Sequence, residues 1–158
     1  METIKVSDVY DSKNTTTAIF PEDVPLEEII AKLADDPCLR GVFLVDSRQR
    51  FAGVITRTDL LKWAYLQFGR PAGSSGVHIS RRDIYDFVIS GKAQDVARGD
   101  WRTLGVRLND TLEEALRQMF EHEAIDLPVL AQDGKILGDL RLSQVLREAI
   151  EAAKKEAE

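Results

Sequence analysis

The sequence predicts a mixed α/β (α+β) fold made of two similar units, each running strand-helix-strand-strand-helix (β-α-β-β-α). Two observations predict it: short motifs that occur twice in the same order, and amphipathic helical stretches that alternate with short apolar runs. The 158 residues are 44% hydrophobic and 30% charged, the composition of a globular protein with its own core. We therefore predict a first unit at residues 1–68, a linker at 69–91 and a second unit at 92–158.

The repeat consists of four motif pairs whose members lie 85 to 87 positions apart. The spacing within each copy is also kept, because ten positions separate Phe43 from Gly53 and ten separate Pro128 from Gly138. The pairs are residues 7–9 with 94–96, 26–28 with 112–114, 43–45 with 128–130, and 53–55 with 138–140. Four echoes in one order indicate two copies of one supersecondary unit.

The first unit opens with a strand predicted at residues 17–20. Its first helix is predicted by apolar residues at i, i+3, i+4 and i+7 counted from Leu26, and Pro25 suits the first helical turn. Apolar runs at 42–45 and 51–55 predict two further strands. A closing helix follows, with Thr58 as its expected N-cap.

The second unit repeats this order. Its strands are predicted from similar apolar runs, at residues 104–108, 129–130 and 136–140. Its first helix carries an apolar face from Leu112 to Phe120, and Asp110 with Glu113 forms a capping-box-like start. Ser143 is the expected cap of the closing helix.

A linker separates the two units. Residues 69–76 are rich in Gly, Ser and Pro, which is typical of turns and linkers. Within the predicted linker, Ile84, Phe87 and Val88 indicate a short extra helix at 81–90. The residues after Glu151 are predicted to form a polar helical tail.

Charge and residue counts exclude several classes of function. The net charge of −6 opposes broad nucleic-acid binding, which depends on neutralising phosphates. One cysteine, Cys38, and two histidines, His78 and His122, provide neither an internal disulfide nor a structural zinc site. No apolar run could span a bilayer and the N-terminus lacks a secretory pattern, so we expect a cytoplasmic protein with no membrane partner. The sequence shows no nucleophile, general base or metal-ligand cluster, so we do not expect an enzyme or a required cofactor.

One stretch carries a family resemblance. Residues 53–60 read Gly-Val-Ile-Thr-Arg-Thr-Asp-Leu, which is Gly-x-x-Thr-x-x-Asp opening a helix after a strand, and residues 127–130, 133–134 and 138 support it in the second copy. The pattern resembles the CBS domain, and the tandem pair over about residues 5–150 resembles a Bateman module. The resemblance implies two CBS-type units packed by their sheets as a pseudo-two-fold pair, with two clefts between them.

The resemblance also implies a regulatory ligand-binding module. Clefts of this family commonly bind adenosine nucleotides such as AMP or ATP, less often S-adenosylmethionine, and two modules often form a homodimer. We therefore expect an adenine-nucleotide sensor whose output passes through pairing with itself or with an effector protein. The alternative is a ligand-free module that only dimerises or docks another protein. Trp63, Tyr65 and Phe68 on the first closing helix are candidates for a partner or dimer face; the alternative is that they belong to the module core.

The family's Thr-x-x-Asp falls on Thr56 and Asp59. A carboxylate can accept hydrogen bonds from both hydroxyls of a ribose, and a helix start offers N–H groups to phosphate oxygens. Thr56 adds a hydroxyl, and Arg57 adds charge if it points inward. The alternative is that Thr56 and Asp59 only cap the helix.

The resemblance places an adenine against the opening strand and the start of the second strand. The residues concerned are Thr17, Ala18, Ile19, Gly41, Val42 and Phe43. Phe43 stands where the family often has proline, so the resemblance leaves the shape of the base pocket open. The alternative is that all six are core strand residues.

The second copy departs from the motif. Arg141 stands at the threonine position, Gln144 at the aspartate position, and Asp139 would repel a phosphate. We therefore expect a degenerate second site. Arg141 is a candidate phosphate contact for a ligand held by Asp59; the alternative is a surface arginine.

Overall fold

The computed structural model describes residues 3–11, 17–68, 80–97 and 99–158, so the predicted linker residues 69–79, with His78, lie outside the description. The elements in chain order are α1 (Val6–Val9), β1 (Ala18–Pro21), α2 (Leu26–Asp35), β2 (Gly41–Val45), β3 (Phe51–Thr56), α3 (Arg57–Phe68), α4 (Arg81–Ser90), α5 (Ala93–Val96), the 3-10 helix η1 (Gly99–Thr103), α6 (Leu112–His122), β4 (Asp126–Leu130), β5 (Ile136–Arg141) and α7 (Leu142–Ala157). They form two sheets, β1-β2-β3 and β4-β5. The predicted pair of mixed α+β units is confirmed.

The first unit is built around its middle strand. β1 pairs with β2 in parallel and β3 pairs with β2 antiparallel. Every residue of β2 is buried, as its unbroken apolar run predicts. The face of α2 that the i, i+3, i+7 spacing predicts is buried as well, through Leu26, Ile29 and Leu33.

The second unit lacks the opening strand predicted at residues 104–108, and that prediction is wrong. Only Val106 forms a parallel bridge to Val129, through Val106 N to Pro128 O at 3.0 Å and Leu130 N to Val106 O at 2.8 Å. Extending this ladder towards Leu104 would need an N–H donated by residue 128, and proline has none. The proline thus shortens the second sheet to two strands.

The start of α6 differs from the prediction by one residue. Thr111, and not Asp110, is the N-cap, and its hydroxyl accepts a hydrogen bond from Glu114 N at 3.2 Å. The Asp110 carboxylate instead accepts from Arg107 N at 2.8 Å in the preceding turn. Phe120, predicted on the apolar face, is 72% exposed because that face ends at Met119.

Both closing helices begin earlier than predicted. α3 starts at Arg57 and α7 at Leu142, so Thr58 and Ser143 lie inside the first turns and do not cap them. Each helix follows its strand without a loop, and the last strand residue is held by the residue three positions later. Arg141 N, for example, donates to the side-chain oxygen of Gln144 at 2.8 Å.

The short helical segment that precedes each unit packs against the other unit. Val6 of α1 is fully buried in a core cluster made mainly of second-unit residues. Ala93 of α5 is fully buried in the core cluster of the first unit. Matching backbone bridges accompany the two contacts, at Lys5–Thr111 and at Lys92–Pro25. These contacts cross the predicted unit boundaries and tie the two halves together.

The extra helix predicted at 81–90 is α4. Its Phe87 stacks on Trp63 of α3, with ring centroids 3.7 Å apart and planes inclined by 26°. Trp63 therefore makes an internal contact, whereas Tyr65 on the same helix is 68% exposed and the side chain of Phe68 lies outside the description. Among the helices of the described ranges, none has the length and apolar character to cross a membrane.

Candidate functional site

A cleft of about 450 Å³ lies between the two units, within the range of about 300–1,000 Å³ typical of small-molecule sites. The first unit lines it from Thr17 just before β1, from the segment before β2 that includes Arg40, from β2 and β3, and from the first turns of α3. The second unit contributes Trp101, Glu123, Ala124, Ile125 and Asp126. Across residues 3–11, 17–68, 80–97 and 99–158, no three His, Cys, Asp or Glu side chains are placed to hold a metal ion.

Thr56 and Asp59 meet where β3 runs into α3, at the wall of this cleft. Asp59 Oδ2 accepts from both the backbone N and the hydroxyl of Thr56, each at 2.9 Å, and Asp59 N donates to Thr56 Oγ1 at 3.1 Å. The pair therefore caps α3 reciprocally, as the alternative interpretation has it. It also lines the cleft, and Asp59 is only 5% exposed.

Arg57 lines the cleft but directs its guanidinium towards the end of α2. Nη2 donates to Leu33 O at 2.8 Å and to Asp36 O at 3.1 Å, and Nε donates to Leu39 O at 3.1 Å. Leu33 O belongs to the last turn of α2, while Asp36 O, which also accepts from Leu39 N at 3.1 Å, and Leu39 O follow it in the chain. Arg57 thus donates to carbonyls at and just beyond the end of the helix. The side chain does not point inward, and backbone oxygens occupy its Nε and Nη2.

The six residues predicted for the base pocket divide between the two faces of their strands. Thr17, Gly41 and Phe43 line the cleft, while Ala18 and Val42 pack against the core of the first unit. Ile19 pairs with Phe43 and shares its sheet face, but it is 52% exposed and is not among the residues that line the cleft. Alternation along β2 explains why residues 41 and 43 share a face that residue 42 does not. Phe43 is fully buried and meets Phe51 edge-on at 5.9 Å, so it forms the bottom of the cleft.

The sequence-based prediction missed all five second-unit residues of the cleft, and Trp101 and Asp126 are the two used below. Trp101 comes from η1, is 3% exposed, and belongs to the same core cluster as Phe43. Asp126 opens β4 as Gly41 opens β2, and the two positions differ by the repeat offset of 85. That offset is a signal that could have identified Asp126, because equivalent residues of a pseudo-two-fold pair can meet near its axis.

Asp126 is an unusual carboxylate because it is only 9% exposed and its Oδ1 has no hydrogen-bond partner within the described part of the chain. Burial first, and then the Asp139 carboxylate, raise the pKa of Asp126 to about 6, although Arg40 and Arg141 act in the opposite direction. Its ionised form is therefore disfavoured by the fold.

Replacing Asp126 with asparagine is expected to raise the free energy of unfolding at pH 7.5 by about 1–3 kcal/mol, since one pKa unit corresponds to about 1.4 kcal/mol. The pKa is raised in the folded state, so between about pH 4 and pH 6 the folded protein binds more protons than the unfolded chain. The contribution of neutral Asp126 to the free energy of unfolding is complete below this pH window and is lost as the pH rises through it. Asparagine stays neutral, so the variant does not lose this contribution at high pH. Urea unfolding of both proteins at pH 4 and pH 7.5 measures the difference, and an equal gain at both pH values would contradict the assignment.

Arg141 lies opposite Asp126 in the β4–β5 pair and is absent from the residues that line the cleft. Its Nε is buried without a hydrogen-bond partner among the described residues. Its backbone N is held by Gln144, so the second copy of the motif keeps the cap and loses the carboxylate.

The CBS domain family model matches residues 6–65 and 103–151. The chain belongs to the CBS-domain family. The two matched regions fall in the two units of the fold, so the protein is a tandem CBS pair and the resemblance read from its motifs is confirmed. No curated protein matches the sequence.

Solved structures of CBS-domain proteins share this fold. A CBS domain-containing protein from Thermotoga maritima is 27% identical with a TM-score of 0.66, over 92% of this chain and 94% of its own. CBSX2 in complex with AMP is 20% identical with a TM-score of 0.65, over 95% of this chain and 98% of its own. A CBS domain protein from Pyrobaculum aerophilum complexed with AMP is 17% identical with a TM-score of 0.61, over 89% of each chain.

Proposed function

We propose that this CBS pair is a regulatory module that senses an adenosine nucleotide in the cleft beside Thr56 and Asp59. The observation that carries the proposal is a buried carboxylate at a helix start, facing a cleft of about 450 Å³ between two CBS units. That similar CBS pairs are found in complex with AMP supports it. The protein acts as a cytoplasmic regulator and not as an enzyme, through its own pairing or an effector protein.

The chemistry of the cleft suits the parts of a nucleotide. Asp59 Oδ2 serves the helix cap, so Oδ1 is the oxygen that receives a sugar hydroxyl. Ile125, which is 47% exposed, supplies apolar surface for a base together with the backbone of Gly41, and the buried Phe43 and Trp101 support the bottom of the cleft. Arg40 and Lys62 line the cleft and supply positive charge for phosphate oxygens.

A nucleotide that binds the folded state should raise its melting temperature. At a concentration of 100 dissociation constants the stabilisation is about 2.7 kcal/mol, or roughly 5–10 °C for a domain of this size. Differential scanning fluorimetry with AMP, ADP and ATP measures it, and Asp59→Ala is expected to abolish the shift.

The matched control is Asp83→Ala. Asp83 and Ser80 make the same two reciprocal backbone-to-side-chain bonds at the start of α4, and neither residue lines the cleft. Asp83→Ala should lower the melting temperature without ligand and keep the full ligand shift. No shift with any of the three nucleotides, or an equal shift in Asp59→Ala, would contradict the proposed function.

We also infer that the module pairs with a second copy through its closing helices. Leu61 and Tyr65 of α3 are each 68% exposed, and their repeat equivalents on α7, Leu146 and Ile150, are 46% and 55% exposed. Equivalent exposed apolar positions on both units give two faces that one symmetric partner can cover.

Sedimentation should therefore show a particle of twice the 17.7 kDa chain mass. The double substitution Leu61→Glu and Ile150→Glu is expected to give the monomer, because it places charge in an apolar contact. Tyr85→Glu on α4, where Tyr85 is 62% exposed, is the control and should remain dimeric. A monomeric parent protein at micromolar concentration would contradict the inference.

A further inference from the structure

The cleft contains a buried acceptor that the proposed function does not use. Asp126 is more than nine-tenths buried, lines the cleft from the second unit, and leaves Oδ1 without a hydrogen-bond partner among the described residues. A buried acceptor of this kind costs free energy until a donor reaches it. Because Asp126 lines the cleft, a ligand bound there can supply that donor.

The charged surroundings of Asp126 come from both units. Asp139 and Arg141 face it from β5, and Arg40 faces it from the residue before β2. The other charged residues along the cleft are Arg57, Asp59 and Lys62 at the start of α3, and Glu123 after α6. Backbone carbonyls at and beyond the end of α2 occupy Nε and Nη2 of Arg57, and Arg40 and Lys62 are the other cations that line the cleft.

We propose that Asp126 is a specificity-determining residue, which selects ligands that present an N–H or O–H donor to its Oδ1 and disfavours ligands that bring several phosphates into the cleft. This inference rests on the proposed function and names the ligand class of the same cleft: a nucleoside monophosphate in preference to a triphosphate. A nucleoside carries amine and hydroxyl donors that can pair with the carboxylate. Each additional phosphate brings negative charge towards a buried anion that two arginines only partly offset.

The repeat itself supports a specific role for this side chain. The equivalent position in the first unit is Gly41, where a Cβ would lie 2.7 Å from the carbonyl oxygen of Ile55. The first unit thus presents backbone to the cleft where the second unit presents a carboxylate. Because both positions line one cleft, the carboxylate makes its two walls chemically different.

The test is calorimetric titration of adenosine, AMP and ATP into the full chain and into Asp126→Asn, without divalent cations. The parent protein is expected to bind ATP at least about tenfold more weakly than AMP. We call the dissociation constant for ATP divided by that for AMP the AMP-to-ATP ratio. In Asp126→Asn this ratio should fall to roughly threefold or less, since a neutral amide of the same shape no longer repels the added phosphates. The stability of the folded variant is checked by the urea measurement described above.

A pH series gives the same readout without a substitution. Lowering the pH from 8 to 5 protonates Asp126, whose pKa is about 6, so the AMP-to-ATP ratio of the parent should narrow. In Asp126→Asn the ratio should change only by the titration of the ligand phosphates and other groups common to both proteins. If Asp126→Asn fails to fold, this pH series and the variant Asp126→Ser, which is also neutral, test whether Asp126 sets the AMP-to-ATP ratio.

The outcomes separate the two proposals. Binding that Asp59→Ala abolishes, together with an AMP-to-ATP ratio that Asp126→Asn leaves unchanged, overturns the role of Asp126 and keeps the nucleotide sensor. No binding of adenosine, AMP or ATP by either protein overturns the sensor and this inference with it. ATP binding as tight as AMP binding in the parent at pH 8 overturns the role of Asp126 alone.

Discussion

Replacing Phe43 with alanine is expected to lower the free energy of unfolding by about 3–5 kcal/mol, or roughly 10 °C in melting temperature. Phe43 is fully buried, and although it lies on β2 it packs in the cluster that contains Leu127, Val129 and Leu140 of the second unit. Alanine would leave a cavity between the two sheets and remove the edge-on contact with Phe51. Urea unfolding followed by far-UV circular dichroism measures the loss.

Phe120→Ala removes the same atoms from a site that is 72% exposed, and it serves as the control. Its expected effect is below about 0.5 kcal/mol, because little apolar surface returns to water. A cost for Phe43→Ala below about 1.5 kcal/mol would show that the sheets do not pack through this side chain.

The second large effect is expected at the N-terminal segment that packs against the second unit. Val6→Asp should cost more than about 3 kcal/mol, because it places an unpaired carboxylate in a fully buried position. The substitution should release α1 from the second unit, where Val6 N donates to Asp110 O at 2.8 Å and Leu112 N donates to Ile4 O at 3.1 Å. Urea unfolding measures the cost, and hydrogen exchange of the Leu112 amide reports the release.

Ser7→Asp adds the same charge to the neighbouring residue, which is exposed. It should change stability by less than about 0.5 kcal/mol and leave the Leu112 amide protected. Equal effects of the two substitutions would show that the segment does not anchor the second unit.

Local pattern was enough to predict the elements whose residues interact within a short stretch. The i, i+3, i+4 spacing from Leu26 predicts α2, and the buried apolar run at 42–45 predicts β2, because side-chain periodicity alone decides which face is apolar. The reciprocal cap of Thr56 and Asp59 is of the same kind, since the two residues lie three positions apart.

Other features depend on contacts between distant parts of the chain. To predict that residues 104–108 do not form a strand, one must know that Val106 pairs beside Pro128. To predict that α1 and α5 pack on the opposite units, one must know how the two units pack together. Arg57 shows the same dependence, because its direction is decided by carbonyls at the end of α2, at least eighteen positions away.

The repeat and its Gly-x-x-Thr-x-x-Asp motif predict a CBS pair from the amino-acid order alone, and the family model confirms it. The same motif predicts Asp59 in the first turn of a helix, where the structure has it. The tertiary structure alone brings Trp101 and Asp126 to the cleft between the units, because packing of the two halves joins residues that the chain separates by dozens of positions. Burial then changes what those groups do: a carboxyl that would be an ordinary surface charge in an extended chain becomes an unsatisfied acceptor with a raised pKa.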